Sequence, residues 1–214
     1  MTLPGRIDFS LCLVTDRRAL APGRSLADAV EAALSGGVEA VQLREKDLSA
    51  RELYSLALEL RERTRRRGAR LLVNDRVDVA LAVGADGVHL GGGSLPVEQA
   101  RRLLGPGRLI GVSTHHGSEI AAAAARGADF VTLGPVYPTP SKAVFGEPLG
   151  VERLRRACAS APVPVFALGG IRADRVGEIL AAGARGVALI SGVLGAEDPA
   201  AAAAEILRAL RGRG

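Results

Sequence analysis

The sequence predicts an α/β protein built as a single (β/α)8 TIM barrel, and three observations predict it. A glycine-led phrase recurs four times: G-V-E-A-V (Gly37–Val41), G-A-D-G-V (Gly84–Val88), G-A-D-F-V (Gly127–Val131) and G-A-R-G-V (Gly183–Val187). The repeats are spaced by roughly 40 to 60 residues, room for a helix–strand–helix–strand unit in each. Short apolar runs alternate with helical patterns along the whole chain, the mark of a parallel sheet covered on both faces. Four two-strand units make eight strands, which favours a closed barrel over an open doubly wound sheet.

Each phrase follows an alanine-rich helical stretch. Its glycine suits a helix C-cap, the next residues form a tight loop, and the valine opens a buried strand. Strands are expected near Ser10–Thr15, Ala40–Arg44, Arg70–Asn74, Gly87–Leu90, Leu109–Ser113, Phe130–Gly134, Pro164–Leu168 and Gly186–Ile190. Between them lie helical patterns such as Leu53, Leu56, Leu58 and Leu60, expected as an apolar face with charges opposite, and Val176, Ile179 and Leu180. The only low-complexity stretches are two alanine runs inside helical patterns, Ala121–Ala125 and Ala200–Ala204. With no internal linker, one domain over residues 1–214 is the economical reading.

Composition narrows the function. The chain has no Trp and few aromatics, which argues against base stacking on nucleic acid despite a net charge of +5. The basic run Arg61–Arg70 ends a helical pattern, where cations complement the helix dipole and stay solvated. A basic protein still attracts small anionic substrates. Cys12 and Cys158 match no metal or redox spacing and read as inert thiols in a reducing compartment. No apolar run approaches a membrane span and the N-terminus lacks a signal-peptide core, so a soluble, cytoplasmic protein is expected.

In such a barrel the chemistry sits at the C-terminal ends of the strands. After strand 2 come Gln42, Arg44 and Lys46, alternating and so on one side of an extended run; facing inward they suit an anion, facing outward they would be solvated surface. Lys46 and Lys142 are the only lysines, against twenty-six arginines. A compact ammonium, unlike a guanidinium fork, suits a phosphate oxygen or a reacting centre. Strand 3 ends in Asn74 and Asp75, at the mouth or as a helix cap. Strand 4 carries His89, then Gly91–Gly93 and Ser94. Strand 5 ends in Ser113, Thr114, His115 and His116, of which at most one histidine faces the mouth. Strand 6 leads into the longest connection, Tyr137–Pro148, with Thr139, Ser141 and Lys142 suited to a diphosphate. Strands 7 and 8 end in Gly169-Gly170-Ile171 and Ser191-Gly192, the recurrent phosphate site of barrels. Two phosphorylated groups brought together suggest displacement of diphosphate.

The ordered set Q-L-R-E-K, V-N-D-R-V-D-V-A, D-G-V-H-L-G, I-G-V-S-T-H, L-G-P-V-Y-P-T-P-S-K and A-L-G-G-I, spread over nearly the whole chain, resembles thiamine-phosphate synthase. That family has a (β/α)8 fold and joins hydroxymethylpyrimidine diphosphate to a thiazole phosphate or its carboxylated form, releasing diphosphate. The resemblance implies Mg²⁺ as cofactor and small phosphorylated pyrimidine and thiazole compounds as partners, with no nucleic acid and no membrane; a homo-oligomeric state is left open. It implies that Gln42, Arg44, Lys46 and Asn74 line the pyrimidine diphosphate side and that Asp75 holds Mg²⁺. Thr139, Ser141 and Lys142 would hold diphosphate or thiazole phosphate; Gly170 and the backbone around Ile190 and Ser191 would bind the thiazole phosphate. Lys46, Asp75, Ser113 and Lys142 are the expected catalytic set, with Ser113 also touching substrate. The family's reaction is dissociative, a pyrimidine carbocation trapped by the thiazole nitrogen.

One departure stands out. Where the family usually has a Gln and a second metal-binding Asp after strand 4, this chain has Gly92 and Ser94. That gap resembles the sister thiazole tautomerases, metal-free isomerases that would use His115 or His89 as acid and base. Yet the tautomerase-like histidine is replaced by Pro135, while Asn74, Asp75 and Lys46 look synthase-like. Asp75 with the Ser94 hydroxyl is the expected metal pair. Besides the tautomerase, a non-catalytic relative retaining phosphate binding is the remaining alternative.

Overall fold

Each glycine phrase ends a helix in the same way. Gly37, Gly84, Gly127 and Gly183 all have φ between 61° and 103°, the left-handed region that a Cβ disfavours. The residue after each glycine donates its N–H back five positions, as in Val38 to Ala33 O and Ala128 to Ala123 O, a Schellman closure of the helix. The chain then enters a strand directly.

The computed structural model describes residues 7–139 and 147–212. The strands are β1 Leu11–Val14, β2 Ala40–Leu43, β3 Arg70–Asn74, β4 Gly87–Leu90, β5 Leu109–Thr114, β6 Phe130–Leu133, β7 Val165–Leu168 and β8 Gly186–Leu189. Every strand lies within one residue of its expected bounds. They pair in parallel in sequence order, and β8 pairs back to β1 to close the barrel. The helices are α1 Leu26–Ser35, α2 Ala50–Arg66, α3 Val77–Ala82, α4 Val97–Leu104, α5 Gly117–Ala125, α6 Val151–Ser160, α7 Ala173–Ala181, α8 Ser191–Leu194 and α9 Pro199–Arg211, with a 3-10 turn at Arg17–Ala19.

Both faces of the strands are buried, and the period-2 alternation divides them. Leu11, Leu13, Val41, Leu43, Leu71, Val73, Val131 and Leu133 face outward into the helix layer. Cys12, Val14, Ala40, Leu72, Leu109, Phe130, Phe166 and Ala188 fill the interior. Phe9, just before β1, plugs the N-terminal end against Phe130 and Phe166, with ring centroids 5.6 and 5.0 Å away. Above that plug the inward positions turn polar, at Gln42, Asn74, His89, Ser113 and Thr132.

The third residue of the repeated phrase has a function that the sequence pattern did not disclose. Glu39 accepts the backbone N–H groups of Ser10 and Leu11 at 2.6 and 3.2 Å. Asp86 accepts that of Leu71 at 2.8 Å, and Asp129 that of Ile110 at 2.7 Å. Each acid thus satisfies a backbone donor at the start of the preceding strand. In the fourth phrase Arg185 stands there and donates to the Ile7 carbonyl instead.

Two expectations are corrected. Leu58 lies on the solvent side of α2, 43% exposed, because Leu53, Ala57, Leu60 and Thr64 form the buried face. The basic run Arg61–Arg70 is not simply solvated: Arg61 pairs with Asp86 at 2.6 Å and Arg67 with Glu31 at 2.8 Å, tying the end of α2 to its neighbours, while Arg70 on β3 pairs with Asp8. Burial pushes the Cys12 thiol up to about 12 and Cys158 to about 11, so neither supplies a thiolate. Among the described residues no helix is long and apolar enough to cross a membrane.

Asp129 is almost fully buried and holds both the Ile110 N–H and the Arg101 guanidinium, at 2.7 and 2.6 Å. Asp129→Ala strands a cation and a backbone donor, and is expected to cost about 3–5 kcal/mol. Urea denaturation with an unchanged m-value measures the loss.

Candidate active site

Strand register decides which polar side chains meet. Val14 lies beside Gln42, Asn74 beside His89, His89 beside Gly111, and Ser113 beside Thr132. All of these but Gly111 line one cavity of about 360 Å³ at the C-terminal ends of the strands. Arg44, Lys46, Asp75 and Ser94 complete its rim, together with Asp16, Arg18 and His115. The alternation at 42, 44 and 46 therefore faces the cavity, as anion binding requires, and not the helix layer.

The intervening residues hold that segment in place. Glu45 is buried on the opposite side, where Arg17 donates to it from its backbone N–H at 3.3 Å and forms an ion pair with it, Nε to Oε2, at 3.2 Å. Arg17 also grips Asp47 at 2.8 Å. The Arg44 N–H donates to Thr15 Oγ1 at 2.8 Å. The β1 loop thus pins residues 45 and 47 and leaves 44 and 46 presented to the mouth.

Asp75 has φ of 67°, an uncommon conformation for a side-chain-bearing residue. Its N–H donates to the His89 carbonyl at 2.9 Å. The N-cap of α3 is Arg76, with no side-chain capping bond, so Asn74 and Asp75 are not a helix cap. Ser94 Oγ accepts the Gly91 N–H at 2.7 Å and closes the glycine turn after β4. Asp16 is bound by Arg18 at 2.9 and 2.8 Å, and that guanidinium holds its carboxyl below the usual range.

Among the described residues no three His, Cys, Asp or Glu side chains are grouped to cage a metal. With Asp16 committed to Arg18, Asp75 is the carboxylate on this rim suited to a cation. One carboxylate fits Mg²⁺ when phosphate oxygens and water supply the other ligands.

A second cavity of about 370 Å³ opens beside the first and shares Leu168 and Ile190 with it. It is lined by Thr139, Gly170, Arg172, Arg175, Ser191 and Gly192, among others. Gly169 and Gly170 have φ of 97° and 63°, and a Cβ on Gly170 would strike the Pro138 carbonyl and Tyr137. Arg175 Nη1 donates to Gly170 O at 2.6 Å and its guanidinium lies 4.4 Å over the Tyr137 ring. The glycine turn is thereby fixed with a cation beneath it.

Of the residues expected from sequence, Gln42, Arg44, Lys46, Asn74, Asp75, Ser94 and Ser113 meet in the first cavity, Thr139, Gly170 and Ser191 in the second, and Ile190 between them. Ser141 and Lys142 lie outside the described residues. Of the adjacent histidines, His115 lines the first cavity, its Nδ1 2.9 Å from Gly134 O, while His116 is the N-cap of α5. Sequence reasoning passed over Asp16, Arg17 and Arg18 although T-D-R-R follows strand 1, and over Arg172 and Arg175 after the strand 7 glycines. The strand-end rule applied to those two loops would have found them.

This mouth, polar and cationic at the C-terminal end of a closed parallel barrel, places the chain among the (β/α)8 barrel enzymes. The family described as thiamine monophosphate synthase matches residues 11–193. A Geobacter sulfurreducens protein, provisionally named a thiamine-phosphate synthase, is 58% identical over 205 residues, 96% of each chain. The thiamine-phosphate synthase of Chloroflexus aurantiacus is 46% identical, covering 98% of this chain and 96% of its own. The structure of thiamine phosphate pyrophosphorylase from Pyrococcus furiosus superposes with a TM-score of 0.86 at 40% identity, over 94% of this chain and 95% of that one. The chain belongs to the thiamine monophosphate synthase family.

His89 is 2% exposed, and burial together with the Arg44 cation pushes its imidazole from 6.5 down to about 4. Between those values an unfolded chain binds a proton that the native state refuses, so stability falls as pH drops from about 6.5 towards 4. His89→Gln is expected to flatten that part of the profile. Denaturant midpoints of both proteins at pH 7 and pH 5 measure the difference.

Proposed function

We propose that the chain is a thiamine-phosphate synthase, condensing hydroxymethylpyrimidine diphosphate with thiazole phosphate or its carboxylated form. The observation that carries this reading is the pair of cavities meeting at Leu168 and Ile190. Two phosphorylated substrates bound there bring their reactive ends together over the barrel interior. The names borne by relatives 46% and 58% identical over nearly the whole chain support the same chemistry.

In this reading Gln42, Arg44, Lys46 and Asn74 bind the pyrimidine diphosphate. Thr139, Gly170, Ile190 and Ser191 hold the thiazole phosphate, with Arg172 and Arg175 adding charge. Ser113 reaches substrate from the cavity wall. Ser141 and Lys142 belong to the site through the family resemblance alone. The bond between the pyrimidine methylene and diphosphate breaks, the electron pair leaves with diphosphate, and the thiazole nitrogen lone pair closes the new C–N bond; with the carboxylated form, the ring carboxylate then leaves as CO2 and a solvent proton takes its place on carbon. The joining step needs no proton transfer, so the site must stabilise leaving-group charge more than supply a base. Arg44 and Lys46 meet that charge, and the cavity walls exclude water from the electron-poor methylene.

Asp75 would hold Mg²⁺, with Ser94 as a weak second contact because its oxygen already accepts the Gly91 N–H. When bound, the ion neutralises charge on the diphosphate oxygens. The reading also carries a cytoplasmic location and small phosphorylated partners rather than nucleic acid.

Mixing both precursors with the protein is expected to yield thiamine phosphate, and EDTA to abolish it; proton exchange on the carboxythiazole without metal, and no thiamine phosphate, would mark a tautomerase instead. Asp75→Ala is expected to lower kcat by about 10² or more, the scale of losing a preorganised charge stabiliser. Full activity in that variant removes Asp75 from the mechanism. Ser94→Asp keeps an acceptor for Gly91 and adds a charged oxygen, so the Mg²⁺ concentration giving half-maximal rate is expected to fall.

A further inference from the structure

We infer that His89 is a positioning residue that makes Ser113 a hydrogen-bond donor towards the cavity. The inference rests on the synthase reading only for the identity of the oxygen that Ser113 meets. His89 projects from β4 into the barrel and is nearly sealed from solvent. Its Nε2 lies 3.0 Å from Ser113 Oγ and 3.3 Å from Thr132 Oγ1. Its Nδ1 is buried and has no partner among the described residues. That nitrogen rests over Gly111, where a Cβ would collide with both Nδ1 and the Phe130 ring. The missing side chain of Gly111 is what admits the imidazole, and the nitrogen above it faces carbon.

A neutral imidazole has one N–H and one bare nitrogen. With the proton on Nδ1, a buried donor would face Gly111 and Phe130 with nothing to accept it, a situation native structures avoid. With the proton on Nε2, the unpaired group is only a lone pair, the smaller loss, and the N–H points at two hydroxyl oxygens. The proton therefore sits on Nε2 and is donated to Ser113 Oγ, with Thr132 the more distant acceptor.

This fixes the direction of the serine proton. A hydroxyl that accepts from the imidazole cannot also donate back to it, so its own hydrogen turns into the cavity beside Arg44 and Asn74. There it meets an anionic substrate oxygen. In the opposite tautomer Ser113 would donate into the protein and present only lone pairs to the same anion, which is repulsive. One carbon-lined nitrogen thus sets the polarity of a hydroxyl on the far side of the imidazole ring.

The test begins with the tautomer in the ligand-free protein. The chain has three histidines, so long-range ¹H–¹⁵N spectra resolve each ring, with His115→Gln and His116→Gln making the assignment. The expected pattern for His89 at pH 7 is a protonated Nε2 and a bare Nδ1; an Nδ1–H form, or an equal mixture, overturns the proposal. This arm needs no turnover, so a protein that makes no thiamine phosphate counts against the synthase reading while the spectrum still decides the tautomer. The second arm is kinetic. Ser113→Ala and His89→Leu are each expected to lower kcat about tenfold, and the double variant no further, because the two act as one donor. His89→Gln, whose amide N–H reaches the same oxygen, is expected to retain most of the rate. Single losses that multiply in the double variant, or a His89→Gln no better than His89→Leu, overturn the assignment.

Discussion

Strand register is the constraint on which the molecule depends. Side chains in a strand alternate with a period of two, so a slip of one residue would turn the polar interior positions outward into the helix layer. Gln42, Asn74, His89 and Ser113 would then lie against leucines and valines, and Leu43, Val73 and Val112 would fill the mouth. Three carboxylates at the barrel floor work against such a slip. Glu39, Asp86 and Asp129 each stand just before an even-numbered strand and bind a backbone N–H at the start of the strand before it. The cavity at one end is therefore held in register by carboxylate–amide hydrogen bonds at the other.

The architecture was legible because parallel strands buried on both faces read as unbroken apolar runs, and because glycine with positive φ marks a helix end. Those are local signals, carried within a few residues. The floor carboxylates were not legible, since their acceptor role depends on a strand 15 to 29 residues away in sequence. Leu58 was misplaced for a related reason: four leucines in one helix satisfy a loose apolar pattern, while the buried stripe runs through Ala57 and Thr64 instead. The site was legible where strand ends carried unusual polar residues, and was missed at Asp16, Arg17 and Arg18, whose charges look like ordinary surface until the loop folds over the mouth.

The rim shows how alternation outlasts the strand that imposes it. Beyond the end of β2 the chain keeps its extended habit, so Arg44 and Lys46 look inward while Glu45 and Asp47 look to Arg17. Two cations are kept near one another by two acids that never enter the cavity. Arg17 lies outside the cavity lining, yet it links the first loop to the second and sets where the positive charge stands. In a chain that otherwise uses arginine almost throughout, Lys46 sets a compact, flexible ammonium on the cavity rim.

The seam between β1 and β8 joins residues nearly the whole chain apart, with Leu11 beside Val187 and Leu13 beside Leu189. A ribosome delivers β1 well before β8. Until the final strand emerges, the first has one bare edge and its inward side chains have no opposite wall, an arrangement open to pairing with other chains. Half a barrel has no finished mouth either, because the second cavity takes its wall from β7 and β8. The two adjoining cavities therefore take shape in one event, when β8 meets β1.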